Sequence, residues 1–382
     1  MKKFLFLTTL LLAISSKGQS ELTYDSLDAM IGQMIMIGIG DFSRPDSNES
    51  IFKEIKEGKV GGVVLYEKNL SKEKTKATLA QLNSKLQKNA EIPLLIGIDE
   101  EGGRVTRLKE KYGFPKNTSA QELGEINNLD TTRFYANQIA TLLDSLGINM
   151  NYAPVVDVNT NPDNPVIGKL KRSYSSDYVE VIKQAKEVIS EHNKKNVIPV
   201  LKHFPGHGSS KNDTHLGLAD VTETWQFEEL YPYKALIDSG GVAAIMTAHI
   251  VNKSLDQTKI PATLSKRVVT GMLREFLGFQ GVVVSDDMQM GAIKNEYGIR
   301  EAIRMSIDAG VDILMFANNV KDYDMVTSSD VHSLIKEMVE EGVISRERIF
   351  VSYSRIMNLK KKFKLLDEEY YKALKNKLKA HH

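Results

Sequence analysis

Short apolar runs alternate along the chain with longer amphipathic stretches. Eight runs of four to six residues are rich in Val, Ile and Leu, which is typical of buried strands. These predicted strands are Met34–Ile39, Gly62–Tyr66, Leu94–Ile98, Ile148–Tyr152, Ile198–Leu201, Val242–Met246, Gly281–Val284 and Asp312–Phe316. The apolar periodicity between them predicts helices over Ser71–Lys88, Asp130–Leu146, Asp177–Lys194, Phe227–Ser239, Leu264–Leu277 and Ile299–Ala309.

Regular alternation of strand and helix implies a parallel sheet with helical crossovers. Eight such units predict an α/β fold, a single-domain (β/α)8 TIM-type barrel. An open, doubly wound sheet is the alternative, because strand number alone does not prove closure. Two further amphipathic segments, Ser328–Glu341 and Ser345–Lys364, predict extra C-terminal helices on the outside of the barrel.

Polar residues follow six of the predicted strands at equivalent positions. They are Asp99, Glu100 and Glu101 after the third strand, Asp157 after the fourth, Lys202 and His203 after the fifth, His249 after the sixth, Asp286 and Asp287 after the seventh, and Asn318 and Asn319 after the eighth. Charged groups next to apolar strands are costly to bury. A barrel carries its chemistry at the carboxyl ends of its strands, so these residues predict one shared pocket.

The densest polar segment is Lys202–Gly208, which is followed by Asp213-Thr214-His215. One proline and two glycines predict an irregular loop here, and such loops on a rigid scaffold commonly carry function. Histidine can act as a general acid or base near neutral pH, and a carboxylate beside it fixes its tautomer. An isolated Asp-x-His more often marks only a surface loop, and both interpretations remain open on this pattern.

Metal binding is a competing interpretation of the histidines in this segment. His203 and His207 have the spacing of a helical zinc motif, but Pro205 and the neighbouring glycines exclude the helix that would align both rings. We therefore predict no metal and no organic cofactor. Lys202 and His203 are then hydrogen-bond donors to a ligand.

Two other segments carry candidate chemistry. Gly281–Met288 ends a strand in adjacent carboxylates, of which one can face the barrel mouth as a nucleophile while the other positions it. A structural ion pair or a helix cap is the simpler interpretation. Asp99–Arg107 places an aspartate and two arginines around a Gly-Gly step, which suits sugar hydroxyls but equally suits an internal ion-pair network.

The composition is that of an ordinary globular protein. The chain has 382 residues, of which 42% are hydrophobic and 26% charged, and its net charge is +1. The sequence has no basic stripe with interleaved aromatic residues, so it does not suggest a nucleic-acid partner.

The first residues have the order of a secretory signal peptide. Lys2 and Lys3 precede an apolar run from Phe4 to Ile14, and small residues lead to Gly18. The 11-residue run is short for a membrane span, which needs roughly 20 residues. A buried helix or a short anchor is the alternative. We expect a signal peptide over residues 1–18, a barrel over 19–365 and a charged tail over 366–382. Without cysteine there is no disulfide or lipid-anchor site, so we expect a periplasmic or secreted protein.

Together these motifs resemble glycoside hydrolase family 3, and within it the single-domain β-N-acetylglucosaminidase (β-N-acetylhexosaminidase) branch. The resemblance covers about residues 27–365. The other segments that carry it are Ala153–Val158, Arg172-Ser173-Tyr174, Met246–His249, Pro261–Ser265 and Gly278–Met290.

The resemblance implies a retaining, exo-acting hydrolase of terminal β-linked N-acetylglucosamine in peptidoglycan- or chitin-derived oligosaccharides. It implies that Asp286 is the nucleophile and that His215, assisted by Asp213, is the acid/base. The positions that it assigns to sugar binding are Asp99, Arg107, Arg172, Lys202 and His203. A carbohydrate substrate and a monomeric enzyme are expected.

Three alternatives remain beside this prediction. They are a β-glucosidase or β-xylosidase of the same fold, a phosphorylase that uses the neutral histidine, and a non-catalytic sugar- or peptidoglycan-binding protein. The chain also departs from the family pattern at Lys169-Leu170-Lys171, a segment before Arg172 that is longer than expected.

Overall fold

Eight parallel strands close into a barrel in the computed structural model, which describes residues 26–40, 45–214, 217–319, 325–369 and 371–372. The barrel strands are β1 Ile35–Gly38, β2 Gly62–Leu65, β3 Leu95–Ile98, β4 Met150–Asn151, β5 Ile198–Phe204, β6 Ala244–Thr247, β7 Val282–Asp287 and β8 Ile313–Phe316. Each strand pairs with the next, and β8 pairs with β1 through the register Met36↔Met315. This closure confirms the predicted barrel and excludes the open sheet.

Helices surround the barrel between successive strands. They are α1 Leu27–Gln33, α2 Pro45–Lys56, α3 Thr75–Asn89, α4 Ala120–Ile126, α5 Leu129–Ser145, α6 Tyr178–Lys194, α7 Tyr231–Asp238, α8 Gly291–Tyr297, α9 Ile299–Ala309, α10 Ser328–Glu340 and α11 Arg346–Lys362, with a π-helix at Arg267–Phe276 and 3-10 turns at Glu67–Asn69, Glu110–Tyr112, Phe227–Leu230 and Ala262–Leu264. Every helix predicted from periodicity is present in some form. The pattern missed α1, α2, α4 and α8, three of which have only seven residues.

The two C-terminal helices pack outside the barrel, as predicted, and both contact α1. Lys360 of α11 is buried at the amino ends of the first strands. It donates to the side chain of Gln33, before β1, and to the carbonyl oxygens of Gly61 and Pro93 at 3.2 and 2.6 Å, before β2 and β3. One lysine thereby joins α11 to the base of the barrel.

Strands β5 and β7 extend further than their apolar runs predict. The prediction that Lys202 and His203 lie on an irregular loop is wrong, because pairing of β5 continues to Phe204, opposite Thr247. Pairing of β7 likewise continues to Asp287. The register shifts near the end of both strands, so backbone pairing persists where the side chains have already become polar.

Two small sheets lie beyond the strand ends. Glu100–Gly102 pairs antiparallel with Val105–Thr106, and Ala219–Asp220 pairs parallel with Ile250–Val251. The first hairpin turns at Gly102, which has φ +97°, and a Cβ there would lie 2.2 Å from the carbonyl oxygen of Thr118. Only glycine fits this turn.

The predicted signal peptide at 1–18 and the end of the charged tail, from residue 373 onward, lie outside the described residues. Within the described ranges, no helix is both long enough and apolar enough to cross a membrane.

Candidate active site

Asp99 lies directly after β3 and is shared by two cations. Its Oδ1 is 2.7 Å from Lys202 Nζ, and its Oδ2 is 2.9 Å from Arg107 Nη2. Burial raises the pKa of this carboxyl, but the charges of Lys202 and Arg107 outweigh burial and hold it well below its usual range. Asp99 is therefore an ionised acceptor in a fixed position.

Glu101, two residues further on, holds the other side of the same lysine. Arg172 donates to both of its carboxylate oxygens at 2.8 and 2.7 Å, and Lys202 Nζ lies 2.6 Å from Oε1. Burial opposes ionisation here too, yet the charges of Arg172 and Lys202 keep the pKa of Glu101 below its ordinary value. Lys202, only 2% exposed, thus joins two carboxylates at the end of β5.

The turn at Lys169-Leu170-Lys171, where the chain departs from the family pattern, holds the backbone of Arg172. The Lys171 N–H donates to Gly168 O at 2.9 Å, and the Arg172 N–H donates to Ile167 O at 3.1 Å. The guanidinium also donates to Val166 O at 2.8 Å. The longer segment folds back on itself and delivers Arg172 to Glu101.

His203 is oriented by Asp157, which follows β4. Its Nδ1 lies 2.6 Å from Asp157 Oδ2, and its Nε2 lies 3.2 Å from Arg172 Nη2. Asp157 Oδ1 also accepts the backbone N–H groups of His203 and His207 at 3.1 and 2.8 Å. Burial raises the pKa of the Asp157 carboxyl, but the neighbouring His203 outweighs burial and keeps that pKa below its usual value. Asp157 was a candidate site residue because it follows a predicted strand, but no feature of the sequence indicated that it orients His203.

Asp286 and Asp287 end β7 with different surroundings. Asp287 Oδ1 accepts the backbone N–H groups of Gln289 and Ala317 at 3.1 and 3.0 Å, which ties β7 to the segment after β8. Asp286 is half-buried, and its Oδ1 accepts the Asp287 N–H at 2.8 Å. Asp287 is thus held by backbone amides, and the nucleophilic role of Asp286 stays a prediction.

Tyr66, after β2, links the two sides of the strand ends. Burial raises the pKa of its phenol, and the carboxylates of both Asp99 and Asp287 raise it further. The Arg107 guanidinium carbon lies 5.3 Å from the centre of the Tyr66 ring. The carboxylates at the ends of β3 and β7 therefore both act on the Tyr66 side chain.

The structure brings five predicted residues into one contact network. Asp99 contacts Arg107 and Lys202, and Arg172 contacts His203. Glu101 joins the two groups through Lys202 and Arg172. Asp213 is half-buried on the segment after β5, whereas His215 lies outside the described residues. The Asp213–His215 pair therefore stays a prediction.

Metal ligation finds no support in the described ranges, where no three His, Asp or Glu side chains are arranged around one point. The absence of a metal or cofactor requirement stays a prediction.

The comparisons with known proteins define the class. A family model described as the glycosyl hydrolase family 3 N-terminal domain matches residues 26–359. The chain therefore belongs to glycoside hydrolase family 3, as its motifs predicted.

Several relatives are named for the same activity. β-Hexosaminidase A of Pseudoalteromonas piscicida is 31% identical in an alignment that covers 87% of this chain and 60% of that protein. A glycoside hydrolase family 3 β-N-acetylglucosaminidase from Paenibacillus sp. str. FPU-7 has a TM-score of 0.80 at 36% identity, over 88% of this chain and 62% of that one. The chain thus spans about 60% of the length of both.

A third relative matches over nearly its whole length. β-N-acetylhexosaminidase from Beutenbergia cavernae has a TM-score of 0.77 at 27% identity, over 88% of this chain and 98% of that one. The barrel and its outer helices therefore correspond to almost all of that solved structure.

Proposed function

We propose that this protein is a retaining exo-β-N-acetylglucosaminidase. The observation that carries the proposal is the position of Asp286 at the end of β7, beside the fixed Asp287, in a closed parallel barrel whose strands β3 and β5 end in the charged network. The similarity to proteins named as β-hexosaminidases and β-N-acetylglucosaminidases supports it.

The charged network supplies fixed groups for sugar hydroxyls. Asp99 and Glu101 are ionised acceptors, and Lys202 is held between them. Arg107, whose Nη2 holds Asp99, carries further donors in a fixed fork, which suits sugar hydroxyls. Groups fixed in this way orient the sugar without reorganising, which lowers the entropic cost of reaction.

The reaction follows a double displacement in this proposal. Asp286 attacks the anomeric carbon while the glycosidic C–O bond breaks, and His215 gives its proton to the leaving oxygen. Water then attacks the same carbon as His215 takes back a proton, and the ester bond to Asp286 breaks. Asp213 holds the imidazole in the tautomer that this exchange needs.

Stereochemistry and products test the proposal. Proton NMR of the first product from an aryl N-acetyl-β-glucosaminide should show the β-anomer, and β-glucosides or β-xylosides should be turned over far more slowly. An α-anomer would contradict a double displacement. A rate that rises with phosphate, together with sugar 1-phosphate as product, would identify a phosphorylase. Binding of N-acetylglucosamine without any turnover would identify a binding protein.

We propose that the enzyme is exported and acts on cell-wall fragments. Lys169 and Lys171 are exposed beside the turn that delivers Arg172, and their charges suit a carboxylate on the neighbouring sugar, as in a muramic acid. Replacing both lysines by serine should lower kcat/KM for a muramic acid-containing disaccharide and leave that for chitobiose unchanged. The difference should shrink at high salt, because exposed charges are screened. Equal losses on both disaccharides would contradict this substrate context.

A further inference from the structure

A second buried carboxyl holds the turn that follows β5. The Gly208 N–H donates to Glu229 Oε2 at 3.0 Å, and Glu229 is only 1% exposed. The preceding amide, that of His207, donates to Asp157 at 2.8 Å. Two consecutive amides of one turn are therefore held by two carboxyls, one from the β4 side and one from the 3-10 turn Phe227–Leu230.

The fit between this turn and Glu229 is tight. Gly206 has φ +115°, and a Cβ there would lie 2.6 Å from the Glu229 Cβ. A Cβ on Gly208 would lie 1.7 Å from Val158 O on the opposite side. The backbone of the turn is thus enclosed on both sides, and residue 229 sets how closely it approaches the barrel.

The ionisation state of Glu229 affects the groups packed around it. Asp157 and the phenol of Tyr233 interact electrostatically with Glu229. His203 lies behind Asp157, and the His207 ring lies 5.8 Å from the His203 ring. Burial raises the pKa of Glu229 to about 7, and the Asp157 carboxylate adds to the rise. Burial, reinforced by His203, lowers the pKa of His207 to about 4, so no protonated imidazole at this position offsets a second negative charge near neutral pH.

We propose that Glu229 is a positioning residue for the acid/base side of the active site, because its carboxyl fixes the Gly208 amide and with it the segment that leads to Asp213. Asp213 follows Gly208 by five residues in the chain. Ionisation of Glu229 places a second negative charge near Asp157, and the repulsion loosens the turn. The inference rests on the proposed function, in which Asp213 supports the acid/base.

Hydrogen exchange tests the anchoring without reference to activity. In the full-length protein, Glu229→Ala should increase exchange in peptides covering residues 205–214, whereas Glu229→Gln, which keeps an acceptor oxygen, should leave exchange near the wild-type level. Glu191→Gln is the matched control, since Glu191 is also buried, at 3% exposure, but lies on the outer helix α6. Unchanged exchange in Glu229→Ala would overturn the anchoring.

Kinetics test the positioning. Glu229→Ala should lower kcat on a disaccharide by about 10²-fold, the size expected from an angstrom-scale misplacement, and much less on an activated aryl glycoside. A loss equal on both substrates, or a change in KM alone, would show that Glu229 does not act through the acid/base.

The pH profile separates positioning from simple structural support. Wild-type activity should fall as pH rises through about 7, where Glu229 ionises, and the fall should move to higher pH in Glu229→Gln. Glu191→Gln should retain the wild-type profile. Identical profiles for wild type and Glu229→Gln would overturn the pH coupling. A wild-type protein without glycosidase activity would refute the proposed function instead, and the exchange result would still report on the anchor.

Discussion

At the scale of single residues, Asp286 and His215 divide the proposed chemistry between nucleophile and acid/base. The nucleophile is needed for every substrate, whereas a good leaving group departs without a proton. Asp286→Ala should therefore abolish all turnover. His215→Ala should reduce kcat/KM on disaccharides by about 10²–10⁴-fold and much less on activated aryl glycosides, where added azide should speed turnover.

Asp213→Ala is the matched comparison for His215→Ala, and it should show the same pattern more mildly, since the imidazole is misoriented and not removed. An equal loss on both substrate types, without azide rescue, would contradict the acid/base role of His215. The remaining candidates would be Glu100, Glu101 and Asp287. The structure engages all three in hydrogen bonds, with Glu100 accepting two backbone amides at 2.9 and 3.0 Å.

Lys202 belongs to the same scale, because it joins two buried carboxylates. Lys202→Met leaves Asp99 and Glu101 with one cation fewer, and removal of one partner from a buried ion pair costs about 3–5 kcal/mol. Urea unfolding should show a loss of that order, and activity should fall as well. Lys53 forms an exposed ion pair with Glu57, with 3.9 Å between Nζ and Oε1, and Lys53→Met should change the free energy of unfolding by less than about 1 kcal/mol. Equal stability of both variants would contradict the network.

At the scale of elements, apolar patterning predicted all eight strands and the major helices. It could not predict where β5 and β7 end, because backbone pairing extends past the last apolar side chain to Phe204 and Asp287. The short helices were missed because about two turns carry too few apolar positions to show a period. Helix-capping residues, such as Ser26 before α1, are the local sequence features that could have identified these short helices.

Helix α11 supplies a prediction about pH and stability through Lys360. Burial lowers the pKa of Lys360 to about 7 in the folded protein, below the value of about 10.4 in an unfolded chain. Between these values the unfolded chain binds more protons, so this lysine makes the free energy of unfolding rise with pH from about 7 to 10.

Lys360→Met should lower stability most above about pH 10, where it removes hydrogen bonds from a neutral amine to buried oxygens, and least below about pH 7, where the folded wild type bears the cost of a buried charge. It should also flatten the rise between pH 7 and 10, which urea unfolding across that range would measure. Lys361→Met, on the same helix but partly exposed, should keep the wild-type slope. Parallel pH curves for wild type and Lys360→Met would contradict the depressed pKa.

At the scale of the whole molecule, barrel closure assembles the site from distant parts of the chain. Asp99 and Lys202, whose side chains form an ion pair, are 103 residues apart. Strand-end placement predicted that these residues share a pocket, and the resemblance supplied their roles. The pairing of Arg172 with Glu101 and the anchoring of the β5 turn by Glu229 were not predictable, because both depend on tertiary contacts without a local sequence signature.

The proposed function depends above all on a covalent bond between Asp286 and the sugar during turnover. Incubation with a 2-deoxy-2-fluoro or slow aryl glycoside, followed by peptide mass spectrometry, tests it most directly. A stoichiometric label is expected on the peptide that contains Asp286, with no label in Asp286→Asn. A label on any other residue, or turnover of the substrate by Asp286→Asn at the wild-type rate, would contradict it.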